Sequence, residues 1–162
     1  IIKDKFHDSL DKNEYEITKI ELIQNQHIMN RYFESKQRLI KLIGKAKINE
    51  QCLWHQYDDS MINILYQGFR KEFYKGPGAG VSLYKSASSC VNHNNQLLFC
   101  YVLCGESSQA GNDMDLTNWP TKSDGSGQLC DSLVDNIDNP KLYYIHDDSR
   151  ACPMFVVHFE TF

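Results

Sequence analysis

The 162 residues fit one domain and suffice to bury a substantial core. A composition of 41% hydrophobic and 23% charged residues is that of a globular protein, and the net charge of -4 leaves no basic excess to drive binding to a phosphate backbone. No stretch reaches the roughly 18–20 apolar residues that span a bilayer, so no membrane partner is expected.

In chain order, Ile2, Phe6 and Leu10 recur at spacings of four and predict a short amphipathic helix over 1–12. Residues 15–23 alternate, with β-branched residues on one parity, and predict a strand. Gln24-Asn25-Gln26 turns the chain. Ile28, Tyr32, Leu39 and Ile43, with Lys and Arg between them, predict a helix over 27–43 that stops at Gly44. The basic residues Lys36, Arg38, Lys41, Lys45 and Lys47 read as its solvated face. A strand over 51–55 follows. Asp58-Asp59-Ser60 supplies an N-cap signal for a helix over 61–67 that closes at Gly68. Residues 70–80 form a loop. Residues 96–104 are the most apolar run and predict a central strand, 105–130 a long polar excursion, and 141–146 and 154–162 two last strands. Helices early and strands late make this an α+β domain.

Six cysteines (Cys52, Cys90, Cys100, Cys104, Cys130 and Cys152) lie partly inside apolar segments. Buried reduced thiols and an intracellular location are expected. There is no Cys-x-x-Cys pair, and Cys100 and Cys104 lack a nearby histidine pair, so no metal site is expected. The chain opens on Ile1-Ile2, which predicts that 1–162 is the C-terminal domain of a longer protein. No Walker A or Rossmann glycine pattern is present. Asp58-Asp59 and Asp147-Asp148 read as a helix cap and a turn rather than as catalytic carboxylates.

The order of these segments resembles the catalytic domain of the poly(ADP-ribose) polymerase (PARP) type of ADP-ribosyltransferase. Residues 15–36 are similar to its opening strand, Gln-Asn and helix. Leu53-Trp54-His55 is similar to its "Leu-Phe-His-Gly-Thr", and Gly68-Phe69 to the "Gly-Phe" that closes the next helix. Gly78-Ala79-Gly80 with Lys85-Ser86-Ala87-Ser88 is similar to "Gly-Lys-Gly-x-Tyr-Phe-Ala-x-x-Ala-Ser". Leu98 to Gly105 resembles "Met-Phe-Leu-x-x-Val-Leu-x-Gly", and 131–136 resembles "Asp-Ser-x-Val-Asp-Asn". Tyr143 to Phe159 resembles the closing strand pair. The resemblance implies a split antiparallel β-sandwich with flanking helices, the ADP-ribosyltransferase fold, with NAD held in a cleft. It is nearest the zinc-finger and macrodomain branches, which transfer single units.

The same resemblance assigns site positions. His55 stands at the histidine that donates to the adenine-side ribose. Gln56 stands where a glycine's backbone grips the nicotinamide amide, and Tyr57 replaces the threonine. Ser82 falls at the first stacking tyrosine, with Tyr84 two residues on along the same strand face. Cys90 falls at the serine that bonds the amide, His93 at the second stacking tyrosine, and Leu142 at the catalytic glutamate. The loop before Gly78 is short, and its Arg70, Lys71 and Lys75 read either as phosphate contacts or as solvated cations. Each replacement removes on the order of 1–3 kcal/mol of ligand interaction. Leu142 excludes chain elongation but not transfer of single units.

The first expectation is therefore a PARP-like pseudoenzyme that serves as an interaction module for a protein partner. The second is an active mono-ADP-ribosyltransferase with NAD as substrate, using His55 and Tyr84. A third is RNA or nucleotide binding in the cleft, against which the acidic balance speaks. His55 also has a purely structural reading, as a strand histidine beside Trp54 in the core.

Overall fold

The computed structural model describes residues 1–56, 58, 61–70, 80–110 and 119–162, with only the backbone of Met61. Three α-helices, α1 (Ile2–His7), α2 (Gln26–Ile43) and α3 (Met61–Gln67), accompany eight strands. The strands are β1 (Tyr15–Leu22), β2 (Glu50–Gln56), β3 (Val81–Tyr84), β4 (Gln96–Leu103), β5 (Ser107–Gln109), β6 (Ser132–Val134), β7 (Leu142–Ile145) and β8 (Ala151–Thr161). They hydrogen-bond in the order β1-β8-β4-β2-β3-β7-β6-β5, antiparallel throughout except for the parallel pair β5/β6. The domain is α+β, with one mostly antiparallel sheet.

That ladder is far from uniform. The first four strands share long registers, with β2 and β4 paired over the whole of Glu50 to Gln56. The last four also pair continuously. Between β2 and β3 only Trp54 and Tyr84 are in register. The sheet is thus two half-sheets joined at one point. A shared core bridges the joint: Leu53, Leu98 and Cys100 from one half meet Val81, Leu83, Val134, Tyr143 and Ile145 from the other. Ile64 of α3 and the following Phe69 complete that cluster.

The alternate residues of β2 and β4 feed a second core. Trp54, Leu97 and Phe99 pack with Val157 and Phe159 beneath α1. Phe6, fully buried, places its ring 6.1 Å from Trp54 and 5.6 Å from Phe159. The helix ends at His7 rather than continuing to residue 12; Leu10 is still buried in this cluster, beyond the helix. A third cluster lies under α2, which buries Ile28, Tyr32, Ser35 and Leu39 at spacings of four, three and four. Arg38, Lys41, Lys45 and Lys47 are exposed as expected, while Lys36 pairs with Glu50 at 3.0 Å.

Two motif residues have clear local work. The Asn25 carboxamide oxygen caps α2 by accepting from the Ile28 N–H at 3.2 Å, and its amino group donates to the Leu65 and Tyr66 carbonyls at 3.1 and 3.0 Å. One side chain thereby ties the start of α2 to the end of α3. Asp135 accepts from the Lys141 and Leu142 N–H groups at 2.9 and 3.1 Å, which fixes where β7 begins.

The structure departs from the sequence reading in several places. β8 begins at Ala151, not 154. Pro153 lies inside it, opposite Cys100, where the β4/β8 register shifts, and such an irregularity tolerates a residue without an N–H. β3, β5 and β6 have three or four residues each, too few to show a period. The excursion at 105–130 is not wholly peripheral, because β5 lies within it and its described end folds back onto the domain. The expected antiparallel arrangement is broken by the β5/β6 pair. The loop at 71–79 and the cap residues Asp59 and Ser60 lie outside the described residues.

A buried ionic cluster anchors that excursion. The Lys122 ammonium lies 3.1 Å from Asp131 and 3.2 Å from Glu106, and the Arg150 guanidinium lies 2.6 Å from Asp131. Burial works against the charge on Lys122, but its two carboxylate partners outweigh burial and hold its pKa above the usual value. Gly105 makes the cluster possible. Its φ is +55°, and a Cβ there would fall 2.5 Å from the Asp131 side chain. Gly105→Ala is therefore expected to destabilise the fold by about 2 kcal/mol or more in urea titrations, about 1–2 kcal/mol from left-handed strain and the rest from the clash with Asp131.

Candidate functional site

Most of the positions singled out from the sequence converge on the joint between the half-sheets. His55 sits one residue past Trp54, where β2 and β3 part. Its side chain is buried, and its Nδ1 donates to the Ser82 carbonyl at 2.8 Å. A carbonyl only accepts, so Nδ1 carries the proton and Nε2 is an acceptor in the neutral ring. The Phe69 ring stands edge-on to the imidazole, with centroids 5.0 Å apart at 83°. Burial pushes the His55 pKa down, against the weaker opposing effects of the Ser82 bond and the Asp58 charge. The ring is neutral at physiological pH. Nε2 is buried and, among the described residues, has no hydrogen-bond partner.

Ser82 and Tyr84 share a strand face and are half-buried, as the two-residue period requires. Ser82 pairs with Tyr144, and Tyr84 pairs with Leu142 on one side and Trp54 on the other. Leu142 is therefore a direct cross-strand neighbour of Tyr84. Tyr84 leans on the cluster that holds Trp54, Ala87 and Cys90. Burial, and then the Cys90 thiol, raise its pKa. Cys90 closes a short 3-10 turn at 87–89 and is only 1% exposed. Burial pushes its thiol up to about 12, so it is neither a thiolate nor a surface donor at neutral pH.

The remaining positions separate from this group. Gln56 ends β2 with its side chain exposed. His93 is exposed on the turn before β4. Tyr57, Lys71 and Lys75 lie outside the described residues. All six cysteines are free thiols, five of them buried. Asp147 is a local cap: its carboxylate accepts from the Ser149 N–H at 3.0 Å, and Asp148 pairs with Arg31 at 3.1 Å. No helix among the described residues is long and apolar enough to cross a membrane. Three cavities among the described residues, lined by Lys122 and Arg150, by Tyr15 and Phe162, and by Leu22 and Leu65, lie away from His55.

The sequence reading gave no role to Phe69, Lys122, Asp131 or Arg150. Phe69 had a signal, since it follows the glycine that ends α3. That glycine, Gly68, has φ +75°, and a Cβ there would lie 3.5 Å from the Ile28 side chain. Lys122 and Arg150 had none, because a lysine in a polar excursion and an arginine in a turn look solvated until the fold buries the one and half-buries the other.

The chain is similar to known transferases. It is 21% identical over 160 residues to the protein mono-ADP-ribosyltransferase PARP12 of Mus musculus, and 22% identical over 160 residues to that of Homo sapiens. Each match covers 91% of this chain but 22% of the relative, so the chain spans about a fifth of the length of the curated relatives it matches. No family model matches. Similarity that runs over most of the chain supports a PARP-type catalytic domain.

The buried imidazole has a consequence for stability. The folded pKa of His55 lies below the unfolded value of about 6.5, so between the two the unfolded state binds the extra proton. The contribution of His55 is complete above about pH 6.5 and is lost as pH falls through the depressed value, with a slope of at most about 1.4 kcal/mol per pH unit. His55→Asn keeps an N–H in place of Nδ1 but has nothing to titrate. Urea titrations from pH 8 to 5 are expected to show that slope in the wild type minus variant difference; a difference flat in pH refutes the assignment.

Proposed function

We propose that this chain is a divergent PARP-like ADP-ribosyltransferase domain that does not turn over NAD and serves as an interaction module. The α+β architecture, the near-split sheet and the similarity to the PARP12 transferases support the ADP-ribosyltransferase fold. The zinc-finger and macrodomain branch assignment rests on the Gln24-Asn25 and 131–136 segments.

One observation carries the catalytic half of this reading: Cys90 at 1% exposure. The position that should present a hydroxyl to the nicotinamide amide holds instead a protonated thiol sealed against Tyr84. A thiol is a weak hydrogen-bonding partner even when it is reachable. The neighbouring changes act in the same direction. Ser82 has no ring to stack, and Leu142 has no carboxylate to stabilise an oxocarbenium-like transition state.

The second reading, mono-ADP-ribosyl transfer with NAD as substrate, has its own support in His55. A buried, neutral histidine with a fixed tautomer and an Nε2 lone pair that no described residue shares suits a ligand that brings a hydroxyl donor, such as a ribose. The names of the relatives agree with it. Calorimetric titration with NAD, together with incubation with labelled NAD, separates the two readings. The pseudoenzyme reading expects no saturable binding in the micromolar range and no label on the protein. Micromolar affinity or self-labelling overturns it, and Cys90→Ser should leave either result unchanged if the thiol is sealed away.

A further inference from the structure

A groove of about 480 Å³ lies between the end of β1 and α3. Its floor continues the first core: Val156 belongs to that cluster, and Ile23 and Leu65 pack against it. Its rim is apolar and open to solvent. Ile62 and Tyr66, four residues apart on α3, are 62% and 76% exposed, and Leu22 at the strand edge is 52% exposed. Single apolar side chains on a surface need no explanation, but three gathered around one concavity mark an interaction site. Asn25 ties the two walls together through its bonds to the Leu65 and Tyr66 carbonyls, so the groove is preformed. The one carboxylate among its lining residues, Glu21, takes Lys19 on Oε1 and His158 on Oε2, so nothing in the groove calls for a charged ligand.

The groove borders an open sheet edge. β1 ends the ladder and, among the described strands, bonds only to β8. The Ile23 N–H donates to the Met154 carbonyl at 2.8 Å, which fixes the phase of that antiparallel pairing. Glu21 and Lys19, two and four residues earlier, therefore turn their backbone groups to β8, while Ile20 and Leu22 turn theirs away from it. Among the described residues, no backbone group outside the ladder bonds to Ile20 or Leu22. Sheet edges are commonly blunted by bulges and free charges. In β1 both lie earlier: the register shifts between Ile17 and Lys19, and Glu16 and Lys19 are exposed. From Ile20 onward there is no bulge, and the one charge, Glu21, is engaged.

We propose that Ile20 and Leu22 take an extended, uncharged peptide segment of a partner protein as a ninth strand, with one of its apolar side chains in the groove between Ile23, Ile62 and Tyr66. Backbone groups that alternate along an edge match another extended backbone, and a groove on one face of the sheet reads every second side chain. A second copy of this chain fits less well. The three exposed side chains offer about 400 Å² at most, half of the roughly 800 Å² that each partner in a stable dimer covers. The site shares no residue with the His55 neighbourhood and stands whether or not NAD binds.

The test titrates the 162-residue chain with the blocked pentapeptide acetyl-Thr-Leu-Thr-Val-Thr-amide and follows backbone amide resonances by NMR. The Ile20 and Leu22 N–H resonances are expected to move saturably, with Kd of about 1 mM or below. Two further peptides carry N-methyl groups, one on its threonines and the other on its leucine and valine. An added strand turns only alternate N–H groups toward the edge, so one of the two is expected to bind at least about tenfold more weakly than the other. Ile62→Ser, at an exposed position of α3, is expected to weaken the unmodified peptide about fivefold. Absence of a saturable shift at Ile20 and Leu22 overturns the proposal. So do equal affinities of the two N-methylated peptides, or unchanged binding in Ile62→Ser. A shift of the same resonances with protein concentration alone, matched by a dimer in analytical ultracentrifugation, overturns it in favour of a second copy.

Discussion

The structure depends on how two half-sheets meet. Eight strands form one ladder, yet the joint between β2 and β3 is a single backbone pair, Trp54 and Tyr84. One pair cannot fix the angle between two sheets. Three further contacts do so: the shared core of Leu53, Leu83, Leu98 and Tyr143, the ring of Trp54 on the opposite face, and the His55 bond to the Ser82 carbonyl just where the strands part. Backbone polar groups left unpaired at a buried divergence are costly, and a side chain that reaches across to satisfy one is a common solution. His55 therefore has a structural role whatever else it binds. The two readings of this residue made from the sequence are compatible, since Nδ1 serves the joint and Nε2 is left over.

The same joint explains why positions far apart in sequence form one neighbourhood. His55 and Ser82 touch because β2 and β3 meet there, and Leu142 joins them because Tyr84 is its cross-strand partner. Asp135 then fixes the start of β7 and so the height of Leu142 along that strand. An Asp seven residues earlier thus sets the register of the position that a catalytic glutamate would occupy.

Much of this was legible in the sequence where period and length gave a signal. The 18 residues of α2, the eight of β1 and the apolar run of β4 declare themselves because each repeats its pattern several times. The resemblance supplied neighbours of His55 that no periodicity could. What stayed hidden had physical reasons. Four residues of β3 and three each of β5 and β6 give at most two repeats of a strand pattern, too few to stand out. Pro153 masked the start of β8, because a register shift that excuses a missing N–H leaves no trace in composition. Lys122 and Asp131 are charged residues that only the fold buries, with Arg150 half-buried beside them, and a one-dimensional reading assigns such residues to solvent. The glycine that accommodates them, Gly105, was visible as a letter but not as a left-handed backbone.

On the reading proposed above, the residues at 90 and 142 also make sense as packing. A hydroxyl or carboxylate that faces a ligand is satisfied by that ligand; without it, the group sits half-buried and unpaired, at a cost of about 1–3 kcal/mol each. Cysteine at 90 and leucine at 142 carry no such cost. The thiol is a small hydrophobe in the cluster with Trp54 and Ala87, and the leucine is a cross-strand contact for Tyr84. On the reading proposed above, these two residues favour the empty domain at the expense of the complex, the usual direction of the trade between stability and function. His55 is the exception for a physical reason. Replacing it by an apolar residue would strand the Ser82 carbonyl at the joint, so this polar side chain is retained by the fold's own requirements, with or without a nucleotide.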